Sequence, residues 1–283
     1  MIKKRYINLL NKKIVLLTFI IILIFTSCSR NIPSKQQRIQ KLQALIPNSN
    51  YITKTIHTDT YSFYTIQQQN NTCKNVHVYF EGDGLAWITR HLISDDPTPL
   101  TPTTFNLLLK DKYQCKVYIA RACQYTNDNH CSKKDWTSHR FSKQIIFATN
   151  KIIDKIKNNF QNDNFIFIGY SGGAAIASLI ANQRNDVTYF ISIAGNLDTE
   201  LWTKIKKFQP LTGSLNPVNY TNNLKSIKQY HLIGTKDSII PYKVTQSYIK
   251  KFSNKENIKL KSVNATHNCC YEDFFKEIIQ DIK

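Results

Sequence analysis

The sequence holds no CxxC pair, no G-x-G-x-x-G or G-K-[ST] pattern, no internal repeat, and only 19 acidic residues against 38 lysines and arginines. The first absence removes the paired-thiolate spacing of a structural zinc site. The second removes the glycine-rich loops that cradle nucleotide phosphates. Neither a metal site nor a phosphate loop is therefore expected. The shortage of acid leaves a formal charge of +19. The basic residues are mostly lysines scattered among asparagine and isoleucine, without a dense arginine stripe. That spread fits a solvated surface, or attraction to anionic lipid or cell-wall polymers, better than nucleic acid, which is not expected as a partner.

Long hydrophobic runs are scarce as well. The longest one, Ile14 to Phe25, is broken only by Thr18, is short for a membrane span, follows the basic stretch MIKKRYINLLNKK, and leads into Thr26-Ser27-Cys28. A basic start, an apolar run and small residues read as an export signal over residues 1–27. The ending Ile24-Phe25-Thr26-Ser27-Cys28 resembles a bacterial lipobox, which implies lipidation of Cys28 and a membrane-anchored place in the cell envelope, with residues 28–50 as a polar tether. Within that tether, residues 35–46 have a helical pattern. Six cysteines remain: Cys73, Cys115, Cys123, Cys131, Cys269 and Cys270. An even number in an exported chain suits disulfides. Cys73 and Cys115 each precede a strand-like run, so neighbouring parallel strands can bring them together. Cys123 and Cys131 bracket a polar loop as a local pair. Cys269 and Cys270 are left adjacent, and such neighbours bond only with strain.

From residue 51 to 283 the chain reads as one domain. Residues 51–67 alternate as two antiparallel strands around a turn. Short buried-strand patterns follow at 76–80, 117–121, 165–168, 187–193, 229–233 and 258–263. Helical patterns at 102–110, 139–160, 172–182, 241–252 and 272–282 lie between most of them. This alternation predicts an α/β fold with a mostly parallel central sheet and helices on both faces. Residues 196–226 show no clean period and fit a short lid inserted over a site.

The chemistry concentrates at NFIFIGYSGGAAIASLI, residues 164–180, where Gly169-Tyr170-Ser171-Gly172-Gly173 joins a strand to a helix. G-x-S-x-G alone is a modest signal, and a capping serine in a structural turn is the plain alternative. In the strand–turn–helix context it is a nucleophile elbow: a strained turn exposes Ser171, and the Gly172 N–H faces a developing oxyanion. A serine nucleophile needs a base and an orienting acid, in that context with the acid first. Asp237 stands in a turn after the 229–233 strand, and His267 follows the 258–263 strand. Asp198 is the competing acid. His77 and His231 lie inside strand patterns, and His57, His91, His130 and His139 all precede the serine. A second oxyanion donor is expected after an early strand, where Gly82-Asp83-Gly84 offers the N–H of Asp83 or of Gly84.

These residues resemble the α/β-hydrolase superfamily. More narrowly EGDGLAW (81–87), DPTP (96–99), RACQY (121–125), GYSGG (169–173), AGNLD (194–198), GSLNP (213–217) and the His267-Asn-Cys-Cys segment are similar to a group of bacterial hydrolases, many of them predicted lipoproteins. The resemblance implies the α/β-hydrolase fold, a Ser-Asp-His triad and no cofactor. It also implies that Arg121, Gln124 and Tyr125 sit in a loop beside the nucleophile. Arg121 there either binds an acidic substrate group or pairs with a carboxylate such as Asp83. Trp87 and Trp136 either line an acyl pocket or pack. The function this suggests is an esterase- or lipase-like serine hydrolase acting on a small acyl ester or lipid. A peptidase, an acyltransferase or a noncatalytic envelope lipoprotein on the same scaffold is the alternative.

Overall fold

A computed structural model describes residues 32–47, 50–69 and 72–282. The expected signal segment and Cys28 lie outside the described residues. Lys35 to Lys283 is a single compact unit.

Among the described residues, eight strands form one sheet: β1 (Tyr51–His57), β2 (Ser62–Gln68), β3 (Asn75–Phe80), β4 (Lys116–Ile119), β5 (Asn164–Tyr170), β6 (Val187–Ile193), β7 (Lys228–Gly234) and β8 (Ile258–Val263). Their order is β1-β2-β4-β3-β5-β6-β7-β8. β1 and β2, and β2 and β4, pair antiparallel, and every other neighbour is parallel. The central strands β3 and β5 read as near-continuous hydrophobic runs because both their faces are covered. Phe165 and Phe167 enter one core, and Ile166 and Ile168 enter the other. The outer strands β1 and β8 carry exposed lysines, which blunt the open edges against pairing with another chain.

Among the described residues, seven helices cover the sheet: α1 (Lys35–Leu45), α2 (Thr103–Lys110), α3 (Lys143–Phe160), α4 (Gly172–Ala181), α5 (Thr199–Lys206), α6 (Tyr242–Ile249) and α7 (Glu272–Gln280). α3 and α4, with Tyr248 of α6, share the core that holds Phe165 and Phe167. α1, α2 and α7 pack on the opposite face. α3 begins at Lys143 rather than at 139, because the Ser142 hydroxyl accepts the Ile145 N–H and caps the helix there. α4 is buried on every side, which is why its sequence is apolar all round instead of amphipathic. Among the described residues no helix is long and apolar enough to cross a membrane.

Two regions differ from the sequence expectation. The polar tether over 28–50 is interrupted by α1, which packs on the domain. Leu42 is fully buried, and Arg38 pairs with Asp96 and donates to the carbonyls of Asp96 and Thr98. One apolar side chain and one cation with a distant partner dock this segment, and its overall polarity hides both. The second region is the expected lid over 196–226. It contains α5 and two single-turn 3₁₀ segments, and it is tied into the domain along its length. Asn196 N–H donates to the Ser171 carbonyl, Gly213 N–H to Ser138, and Leu215 N–H to Phe141. Its irregular period reflects three separate anchoring contacts, none of them predictable from local sequence.

The six cysteines pair as Cys73–Cys115, Cys123–Cys131 and Cys269–Cys270. The first bridge is set up by the parallel pairing of β3 and β4, whose register puts the Cys115 carbonyl 2.9 Å from the His77 N–H.

Candidate active site

β5 runs into α4 through Ser171, whose backbone lies at φ 53° and ψ −119°. A non-glycine residue pays for positive φ with strain, so surrounding contacts must hold it there. They do: Ser171 N–H donates to the Ile193 carbonyl at 2.9 Å, and its carbonyl accepts from Asn196 at 3.1 Å. The turn is also packed too tightly for side chains. A Cβ on Gly173 would run into the carbonyls of Phe80 and Glu81 at the end of β3, and one on Gly169 would strike the backbone of Ala174.

Ser171 Oγ lies 3.1 Å from His267 Nε2, and His267 Nδ1 lies 2.8 Å from Asp237 Oδ2. The three side chains form one hydrogen-bonded line drawn from the carboxyl ends of β5, β7 and β8. Asp237 is placed by its own turn: its Oδ1 accepts the N–H groups of Ile239 at 2.8 Å and Ile240 at 2.9 Å. One oxygen is thus held by backbone, and the other is left for the imidazole. His267 is held from behind by Tyr170, whose hydroxyl donates to the His267 carbonyl at 2.9 Å and meets Asn268 Oδ1 at 3.0 Å.

The competing acid, Asp198, is occupied elsewhere. It caps α5 by accepting the Leu201 N–H, and it takes hydrogen bonds from Asn216 and Ser247. His77 is bound to Asp111 at 2.6 Å inside the fold. His231 is packed against the rings of Phe190 and Tyr248, and burial lowers its pKa to about 3, so it stays neutral.

Across the elbow from His267, the loop after β3 approaches α4. A Cβ on Gly172 would collide with the carboxylate of Asp83, so the two loops fit only because residue 172 is glycine. Among the described residues, no acceptor takes the N–H of Asp83, Gly84 or Gly172. The Asp83 carboxylate pairs with Arg121 at 2.8 Å and with Arg140 at 2.6 Å. Burial pushes this carboxyl up, but Arg140 and then Arg121 outweigh it and hold the group below the usual carboxylate range. Arg121 also donates to the Arg140 carbonyl, so both its terminal nitrogens are engaged and its guanidinium is buried. The structure therefore puts Arg121 in the carboxylate pairing and not in a substrate contact. Gln124 completes the loop, donating to the Gly82 carbonyl at 2.9 Å.

Trp87 stands exposed in a hairpin past this loop, and Trp136 is buried with its indole N–H on the Ser94 carbonyl. Trp136 is a packing residue. Arg140, Tyr170 and Glu81 are site-shaping residues that sequence reasoning passed over. Tyr170 is the variable residue of the G-x-S-x-G pattern, and Arg140 lies just before α3 with no local signal. Glu81 accepts the Gly82 N–H and the Thr104 N–H and hydroxyl. Burial raises its pKa to about 7 against those donors. Among the described residues, no group of three or more His, Cys, Asp or Glu side chains is arranged to hold a metal ion.

A sheet of this order, with a strained serine between β5 and α4, defines an α/β-hydrolase fold. The family profile described as serine hydrolase (FSH1) matches residues 97–268, more than half of the chain, and the protein belongs to that family. No curated protein matches it in sequence. Solved structures share the fold at low identity. The esterase PF2001 of Pyrococcus furiosus is 16% identical with a TM-score of 0.58, over 82% of this chain and 88% of that one. Est1E of Butyrivibrio proteoclasticus, solved with ferulic acid bound, is 11% identical with a TM-score of 0.61, over 81% and 96%. An α/β serine hydrolase homologue from Coxiella burnetii is 11% identical with a TM-score of 0.54, over 84% and 99%.

Proposed function

We propose that this serine hydrolase cleaves an ester or related acyl bond through an acyl-enzyme formed on Ser171. The observation that carries the reading is the continuous line from Asp237 through His267 to Ser171, ending on a serine held at positive φ. His267 Nε2 takes the Oγ proton as Oγ attacks the carbonyl carbon. Asp237 holds the imidazole in place and stabilises its protonated form. The carbonyl oxygen, now negative, is received by the Gly172 N–H and by that of Asp83 or Gly84. Collapse of the tetrahedral species expels the alcohol, which takes the proton from His267. Water deprotonated by the same imidazole then attacks the acyl-enzyme, releases the acid and restores Ser171. The Pyrococcus furiosus esterase that shares this fold supports ester over peptide cleavage.

The same proposal puts the chain on the exported side of a bacterial membrane, lipidated at Cys28. Its support is the N-terminal pattern of residues 1–28 and six cysteines joined in three pairs, which suit an oxidising compartment. Incorporation of labelled palmitate that disappears in Cys28→Ala tests this part.

A fluorophosphonate probe tests the chemistry. It is expected to label the native chain and to leave Ser171→Ala and His267→Ala unlabelled. A chain that shows no Ser171-dependent labelling and no turnover of short acyl esters refutes the reading.

A further inference from the structure

The loops leaving the carboxyl ends of β3, β6 and β7 frame the triad, and each exposes apolar side chains. The hairpin after β3 is closed by the Ile88 N–H on the Leu92 carbonyl at 2.8 Å and by a bridge between Trp87 and Ile93. It exposes Ile88, Trp87 at 41% and Leu92 at 54%. The end of α5 exposes Phe208, and the acid loop exposes Ile239 at 44%.

These side chains belong to one surface, because cations join them. Arg90 at the hairpin tip donates to the Lys207 carbonyl at 3.2 Å and lies 5.9 Å from the Phe208 ring centre. Lys206 reaches the same ring at 6.0 Å and donates to the Ser238 carbonyl at 2.7 Å, beside Ile239. A single exposed apolar residue means little, but a connected set rimmed by charge marks a contact surface.

The charge is of one sign. Segments 86–92, 203–208 and 236–243 contain Arg90, Lys204, Lys206, Lys207, Lys236 and Lys243, and their one carboxylate is Asp237, turned inward to His267. The occupant is therefore anionic. It is also apolar underneath its charge, and it must leave the mouth open for an acyl group to reach Ser171. A protein partner seated here would cover the mouth. A lipid surface meets all three conditions, with the long cationic side chains reaching headgroups while the aliphatic ones enter the acyl region.

We propose that this rim docks the catalytic mouth onto an anionic lipid surface, so that the acyl ester is taken from the lipid phase. The substrate part of this rests on the serine-hydrolase reading of the triad; the docking part does not.

The test uses the full chain with vesicles whose acyl chains carry bromine, which quenches tryptophan in the acyl region. Any tethering by the N-terminal segment is common to all variants. Anionic vesicles are expected to quench a signal that vanishes in Trp87→Phe, since Trp136 and Trp202 are buried. Zwitterionic vesicles should quench it much less. Ile88→Asp with Leu92→Asp is expected to lower hydrolysis of a vesicle-borne long-chain ester about tenfold or more. Its rate on a soluble short-chain ester should stay within about twofold, as for other exposed substitutions. Arg90→Glu should give a smaller loss on anionic vesicles, about severalfold, that added salt reproduces in the native chain.

Trp87 left unquenched on anionic vesicles overturns the docking. So does an Ile88→Asp/Leu92→Asp chain that loses both activities equally or neither. A native chain that hydrolyses neither ester yet shows Trp87 quenching overturns the enzymatic reading and upholds the docking.

Discussion

Two aspartates stand on either side of the elbow, and the fold treats them in opposite ways. Asp237 is held by two backbone N–H groups on one oxygen, leaving the other for His267. Asp83 has an arginine on each oxygen. On the Asp237 side the negative charge remains available to the imidazole, which becomes cationic in the reaction we propose. On the Asp83 side it is fully used by two guanidiniums, and what remains useful is the backbone that the carboxylate anchors beside Gly172. The first aspartate acts through its charge, and the second through its position.

Breaking each one should separate these roles. Asp237→Asn keeps the shape but removes the charge and its preference for the imidazole tautomer. A loss of kcat of about 10⁴ is expected, with stability nearly unchanged, by steady-state kinetics and a melting curve. Asp83→Asn leaves two buried cations short of a counter-charge. We expect a stability loss on the order of 3 kcal/mol in denaturant unfolding and a fall in kcat of about 10² through the displaced N–H donors. Fluorophosphonate labelling of Ser171 should slow in that variant but persist.

Glu81 sharpens the contrast, because it is buried next to this loop and, among the described residues, makes no salt bridge. Burial raises its pKa from 4.5 to about 7, so between those values the folded chain keeps a proton that the unfolded chain has released. Its contribution to stability therefore falls as pH rises from 4.5 to 7 and then levels. The size is on the order of 2–3 kcal/mol, and Glu81→Gln should remove that slope when unfolding free energies are compared at pH 5 and pH 8. The smallest effect is expected at Asp198, which caps a helix and binds Asn216 and Ser247 away from the triad. Asp198→Ala should cost about 1 kcal/mol and leave kcat within a few-fold.

The strands and most helices were legible because hydrophobic period is a local property. The runs at 187–193 and 258–263 coincide with β6 and β8 residue for residue. The reading of α3 started four residues early because an apolar Phe141 extends the period past the true cap at Ser142. The α1 helix was legible as a helix, yet its docking was not, since Arg38 finds its partner 58 positions away at Asp96. The lid expectation over 196–226 missed for the same reason: contacts to Ser138, Phe141 and Ser171 tie that segment down.

By itself the sequence determined the strained elbow and the order serine, acid, histidine. Tiny residues around Ser171 and turns after strands are local requirements, and they leave a local mark. It also determined that any partner drawn by charge is anionic. Only the tertiary structure decided which aspartate faces His267, because Asp198 and Asp237 both follow strands and differ only in what the sheet brings beside them. It alone decided that Arg121 and Arg140 meet on Asp83, and that three loops join into one cationic, apolar rim. Those pairings cross the sheet, and a residue's neighbours across a sheet are set by strand order and register, to which the adjacent sequence gives no key.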